Sequence, residues 1–236
     1  ASGALTGAVV ITDLAEAAEV DISAAIGNNL TINQINSAGG SDTLTVDFSG
    51  GTYTTGGSII APNIETVTLK TSNNNTSTKT LSEGTFANAG NITIEATSGH
   101  LTILNLTAVN IDTLDLSSSN RNVSITTGAD VFSQAFTFTG GNRNDTLDLD
   151  GATVAAGTVF VVGEDQDVLI LNADAVSTTV RTDATSSSDA FSIRDDATTA
   201  NTASFTSGSD RFDYNGSLSH GGVSSVVAAS GASLQA

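Results

Sequence analysis

Four aspartates recur at nearly one interval toward the C-terminal end of this chain: Asp145, Asp167, Asp189 and Asp210, with steps of 22, 22 and 21 residues. Each is followed two and four positions later by a large apolar residue: Leu147 and Leu149, Leu169 and Leu171, Phe191 and Ile193, Phe212 and Tyr214. A unit this short, with strand-like alternation inside it, cannot bury its own apolar face. It must stack on its neighbours, which constrains the chain to a solenoid. The repeated acid adds a second constraint, because a column of carboxylates cannot stack unneutralised.

The alternation extends far upstream of the first of these acids. Two apolar residues flank a polar one at 20–22, 30–32, 44–46, 67–69, 92–94, 101–103, 114–116, 123–125 and 136–138. These segments are rich in Thr, Val and Ile, as strands prefer. Turn clusters such as Gly27-Asn28-Asn29, Gly50-Gly51, Asn73-Asn74-Asn75 and Gly140-Gly141 separate them. Val20, Leu44, Val67, Ile92 and Leu114 recur at the coil spacing and read as one face of successive coils. The expected fold is all-β, a parallel β-helix or β-roll-like solenoid with about 22 residues per coil. Residues 1–139 read as coils with few ion sites, 140–217 as ion-binding coils of the same solenoid, and 218–236 as a terminal coil or tail. Asp13-Leu-Ala-Glu16 has capping-box spacing and admits a short helix over residues 14–19. The alternation at Val20-Asp21-Ile22 favours another coil there instead.

Charge narrows the partners. The formal charge is -18, from 25 acidic and 7 basic residues. No basic face can be built, so neither nucleic acid nor an anionic membrane surface is expected as a partner. Cations are favoured. Absence of cysteine removes disulfides and thiolate metal sites. No apolar run is long enough for a membrane-spanning helix, so no membrane insertion is expected. No cationic and apolar leader opens the sequence. Low aromatic content with high negative charge is also a signature of disorder. The 39% hydrophobic content and the sustained alternation argue against it.

The residues around Asp145 carry the chemistry. Gly140-Gly141-Asn142-Arg143-Asn144-Asp145-Thr146-Leu147-Asp148 is close to the nonapeptide Gly-Gly-x-Gly-x-Asp-x-apolar-x that binds calcium in RTX proteins, with Arg143 in place of the third glycine. More divergent copies are Gly163-Glu164-Asp165-Gln166-Asp167-Val168-Leu169, Ser186-Ser187-Ser188-Asp189-Ala190-Phe191 and Ser207-Gly208-Ser209-Asp210-Arg211-Phe212. An early outlier is Gly39-Gly40-Ser41-Asp42-Thr43-Leu44. The candidate metal-binding positions are thus Gly140, Asn142, Asn144, Asp145, Gly163, Asp165, Asp167, Ser187, Asp189, Gly208, Asp210 and Asp42. Glycine permits the tight turn that aims backbone carbonyls inward. Aspartate adds a hard anionic oxygen, and calcium takes six to eight such ligands in flexible geometry. Carboxylates one strand spacing apart repel by roughly 3 kcal/mol at an effective dielectric near 20, and a divalent ion reverses that sign. A single Asp in such a turn reads as a cap of its own loop. Four at one interval, in so acidic a chain, read as calcium ligands.

A second motif accompanies the first. Asn63-Ile64-Glu65-Thr66-Val67-Thr68-Leu69 is echoed by Asn110-Ile111-Asp112-Thr113-Leu114-Asp115-Leu116. A Gly-Gly-x-Asp-x-Leu turn followed one coil later by such a strand resembles the repeat unit of bacterial S-layer proteins of the calcium-binding RTX type. The bias to Ala, Thr, Ser, Gly and Asn is similar. The resemblance implies a secreted, calcium-dependent β-solenoid at the cell surface, with copies of itself as lattice partners and type I secretion as its export route. It also implies anchoring to cell-surface polysaccharide through regions outside this sequence.

Other constellations are weak. There is no phosphate-binding glycine loop, no His-x-x-x-His pair and no Gly-x-Ser-x-Gly elbow. His100 and His220 read as solvent-facing or turn residues. Asp148 with Asp150, or Asp195 with Asp196, reads as outer-face charge rather than a glycosidase pair. Thr52-Tyr53-Thr54 and Thr76-Ser77-Thr78 are Thr-x-Thr segments that do not repeat at the coil period. The expected function is therefore that of a non-enzymatic structural protein of a bacterial surface layer. A secreted RTX-type adhesin or ice-binding module is the alternative, and a β-helical carbohydrate-active enzyme is a more distant one.

Overall fold

The computed structural model describes residues 7–35, 40–50, 57–72, 76–128, 132–149, 152, 154–155, 157–163 and 165–171, and beyond these the strands at 179–182, 190–195, 201–205, 211–214, 223–228 and 233–235. The fold is a parallel β-solenoid with a step of roughly 22 residues, as the periodicity predicts, and the described residues contain no helix.

Two sheets form its walls. The first contains β1 (Val9–Leu14), β3 (Leu30–Gln34), β5 (Ser58–Ile60), β7 (Lys79–Leu81), β8 (Glu83–Thr85), β10 (Leu101–Thr107), β12 (Val123–Thr127), β14 (Thr146–Asp148), β16 (Gln166–Leu171), β18 (Ala190–Asp195), β20 (Arg211–Tyr214) and β22 (Ser233–Gln235). The second contains β2 (Ala18–Asp21), β4 (Thr43–Asp47), β6 (Thr66–Thr71), β9 (Asn91–Ala96), β11 (Thr113–Asp115), β13 (Thr137–Thr139), β15 (Val159–Val161), β17 (Thr179–Thr182), β19 (Asn201–Phe205) and β21 (Val223–Ala228). The chain passes from one sheet to the other and back, so each strand pairs with the strand one coil away. β7 and β8 both pair with β10 and act as one interrupted pass.

Period-2 alternation sends one set of side chains into the space between the sheets. In the second sheet Leu44, Val67, Ile92, Leu114, Phe138 and Phe160 lie in a single register column. In the first sheet Leu81, Ile103, Ile125, Leu147 and Leu169 do the same. All of these are buried. Phe136 and Phe160 meet edge-on with centroids 5.7 Å apart, a favoured aromatic geometry.

Two readings are sharpened in detail and one is corrected. Val20 shares the inward face of Leu44, as expected, but lies two residues further along the strand. Ala18 pairs with Leu44, while Val20 pairs with Val46, because the connection between β2 and β4 is longer than one standard step. Residues 14–19 form no helix and continue the coil, the reading that the alternation favours. A register irregularity in β1 and left-handed backbone at Asp13 (φ 57°) and Ala17 (φ 56°) turn the chain directly into β2. The apolar residues two places after each aspartate, Leu147, Leu169, Phe191 and Phe212, do not all fall in one column as equal steps would require. Val168 pairs with Ser192, two residues beyond the standard step, so Leu169 is registered with Ile193 and Asp167 with Phe191. Phe191 then pairs with Phe212.

The alternation makes inner and outer positions energetically unequal. Ile92→Ala should destabilise the protein by about 2–5 kcal/mol, the usual loss for a fully buried aliphatic side chain. Thr93→Ala, on the outer face of the same strand, should change stability by about 0.5 kcal/mol or less. Urea unfolding of the two variants checks this, and equal effects would contradict the assigned faces.

Candidate functional site

At the entry to β12 the N–H of Val123 needs an acceptor from the following coil. Asp145 supplies one. Its Oδ1 accepts the N–H of Val123, one coil back, at 2.8 Å. Its Oδ2 accepts the N–H of Gly141 in its own turn at 2.7 Å. The pattern repeats one coil on, where Oδ1 of Asp167 accepts the N–H of Asp145 at 2.8 Å. Both carboxylates point inward, with Asp145 only 2% and Asp167 only 4% exposed. Each aspartate therefore takes the place of a carbonyl in the inter-coil ladder.

The turn before Asp145 packs tightly on its successor. A Cβ at Gly140 would overlap the Val162 carbonyl, and one at Gly163 (φ +94°) would overlap the Gly141 carbonyl. Glycine is needed at both positions for the turns to approach this closely. Asn142 and Asn144 are exposed. Arg143, in place of the third motif glycine, reaches up to Asp165 at the same position of the next turn, Nη1 to Oδ2 3.3 Å. Asp165 itself holds the left-handed backbone (φ 74°) that a glycine would adopt there. This ion pair is solvent-exposed and contributes at most about 1 kcal/mol.

Asp42 belongs to the other wall. It precedes β4, is 3% exposed, and donates its N–H to Oε2 of Glu65 at 2.9 Å. Glu65 precedes β6, so here too a carboxylate one coil on accepts the strand-entry N–H. Thr158 Oγ1 plays the same part for Phe136 N–H at 3.3 Å. Thus Asp145 and Asp167 form one strand-entry column, and Asp42 and Glu65 form another on the opposite sheet. Ser187, Asp189, Gly208 and Asp210 lie outside the described residues. His100 takes a turn role, with Nδ1 accepting the Asn122 N–H at 3.1 Å.

The Asp145 column offers hard oxygen donors of the type calcium takes, but among the described residues no three His, Asp or Glu side chains cluster as a metal-holding group. A carboxylate has about four lone-pair sites, and Asp145 commits two of them to N–H groups. One coil away Asp167 accepts the Asp145 N–H, while Asp165 turns outward to Arg143. Burial drives the Asp145 carboxyl upward against its two N–H bonds, and its pKa is pushed up to about 6. An adjacent cation would oppose that rise.

Sequence reasoning missed a feature of the outer face. On the second sheet Thr43, Thr66, Asn91, Thr113 and Thr137 share one register row. Thr45, Thr68, Thr93, Asp115 and Thr139 share the row beside it. The signal was present as Thr-x-Thr around the inward residue of these strands, at the coil spacing. A comparison of the chain with protein-family models, with curated proteins and with solved structures finds no match in any of the three.

The Asp145 carboxyl has a definite pH signature. Its folded-state pKa of about 6 lies above its ordinary 3.8, so the folded state holds this proton more tightly. The resulting stability is fully present below pH 4 and lost as pH rises through 6. In chelator, the stability of wild type relative to Asp145→Asn should increase by up to roughly 3 kcal/mol between pH 7.5 and pH 4. Denaturant melts across that range check the sign, and a pH-independent difference would contradict it.

Proposed function

We propose that this chain is a non-enzymatic structural β-solenoid, part of a secreted bacterial surface layer, stiffened by calcium and assembling with copies of itself. The observation that carries the reading is the buried stack of Asp145 and Asp167 behind a glycine turn of RTX type. Two carboxylates one coil apart, each almost without solvent, repel one another near neutral pH. Arg143 lies in the adjacent turn, but it pairs with Asp165 on the outside. Calcium, bound through carboxylate and backbone oxygens, would offset that repulsion without a rigid coordination geometry. A regular rod with a net charge of -18 is also suited to a role in which divalent ions control association.

Melting the chain in EDTA and in millimolar calcium tests this. Calcium at about 100 times its Kd adds about 2.7 kcal/mol per site, which raises Tm by roughly 5–10 °C in a domain of this size. Asp145→Asn should lose most of that increment. A calcium-independent Tm would contradict the reading, and electron microscopy of calcium-treated protein should show ordered sheets.

A second reading, an adhesin or ice-binding module, is favoured by the threonine rows. They place hydroxyls about 4.8 Å apart between coils and about 7 Å apart along each strand. The adjoining row is charged, with Asp47, Lys70 and Glu95 in register and Lys70 paired to Glu19. Thermal hysteresis and ice-recrystallisation assays separate the readings. Activity abolished by Thr68→Tyr at unchanged Tm would support the second, and no activity in the wild type would exclude ice binding.

A further inference from the structure

Two oxygen atoms in the corner between β3 and β4 lack partners although they are buried. Gln34 is 5% exposed and Asp42 is 3% exposed. Gln34 Oε1 and Asp42 Oδ2 are shut off from solvent and accept no hydrogen bond. The Gln34 amide cannot turn over to relieve this. Its Nε2 donates to the Thr43 carbonyl at 2.6 Å, and a flipped amide would set two acceptors face to face. That same bond holds the amide beside the residue that follows Asp42. On the other side Glu65 brings a second carboxylate against the Asp42 backbone, Oε2 to N 2.9 Å.

Orphaned buried acceptors are destabilising, and more so when one is a carboxylate. Something with positive or donor character must complete the corner. The ion pairs found among the described residues, Lys70 with Glu19 and Arg143 with Asp165, involve neither Asp42 nor Glu65. A bridging water could donate to both orphaned oxygens, but it would leave the Asp42 charge uncompensated in the interior.

We propose that Gln34, Asp42 and Glu65 form a second cation site at this corner between the two walls, several coils from the Asp145 column. The donors are one amide oxygen and two carboxylates, with no imidazole or sulfur. That set selects a hard divalent ion, and its mixed neutral and anionic oxygens suit calcium better than magnesium, which keeps more of its waters. The site does not depend on the Asp145 stack, because its residues come from other coils.

The test compares full-length wild type, Asp42→Asn and Asp145→Asn in EDTA and in millimolar calcium, by thermal melting and by calorimetric titration with calcium chloride. In EDTA, Asp42→Asn should be at least as stable as wild type, because the new amide can donate to Gln34 Oε1 and the buried charge is gone. In calcium the order should reverse, and titration of Asp42→Asn should count one site fewer. The same loss should appear in the Asp42→Asn/Asp145→Asn double variant relative to Asp145→Asn. That comparison separates failure of this corner from failure of the Asp145 site. An unchanged stoichiometry, with equal calcium shifts in wild type and Asp42→Asn, would overturn the proposal and leave the corner to a water or a proton. If the double variant does not fold, Gln34→Leu in the otherwise native chain serves instead. It should weaken one calcium site about tenfold or more, and an unaltered isotherm would likewise overturn the proposal.

Discussion

The parallel backbone ladder between coils is the interaction on which everything else in this molecule depends. It holds only where successive passes keep the same register, and register is fixed by the inward apolar columns. A slip of one residue would turn Ile92, Leu114 and Phe138 outward and bring threonines into the core. The roughly 22-residue step is thus enforced by packing. The connections absorb the variation, as the longer ones before β4 and before β18 show.

A ladder of this kind fails at its corners, where turns carry the backbone away from its neighbour and leave N–H groups unmatched. The solenoid repairs these points with side chains. Asp145, Asp167, Glu65 and Thr158 accept strand-entry N–H groups. At strand exits, Asp47 accepts Ser72 N–H at 3.1 Å together with the Ser72 hydroxyl, and Asp21 accepts the Ser49 hydroxyl. Ser119 bridges the end of β9, accepting Ala96 N–H at 3.0 Å and donating to the Ile94 carbonyl at 2.7 Å. Aspartate is the shortest side chain with two strong acceptors, which suits it to closing both a turn and a ladder. The same choice buries charge along the axis. Structural capping is thus observed, and the proposed cation binding would be a second consequence of the same placement rather than a competing explanation of it.

Much of this was legible in the residues. The alternation around Leu44, Val67, Ile92 and Leu114 named the core column correctly, because inward apolar residues and a nearly constant step leave few other arrangements. The glycines at 140 and 163 were legible because only they tolerate the observed approach. The slip between Asp167 and Phe191 was not legible, since counting acids at equal steps assumes equal turns. Nor was the placement of Asp42, which shares the Gly-Gly-x-Asp spelling with Asp145 but sits on the other sheet. Which wall a turn precedes depends on how many residues earlier connections consume, and no local motif records that. Gln34 carries no motif at all, and its importance comes only from the corner into which the fold turns it.

The claim at the centre of this account is that buried carboxylates stand in for backbone carbonyls and are charge-compensated by a divalent ion. Amide hydrogen exchange at Gly141, Val123 and Asp145, followed with calcium and with EDTA, tests it most directly. These three N–H groups sit at turn–strand junctions but donate to Asp145 and Asp167. The account predicts protection comparable to strand interiors, deepened by calcium. Exchange as fast as in exposed loops, unaffected by calcium, would contradict it.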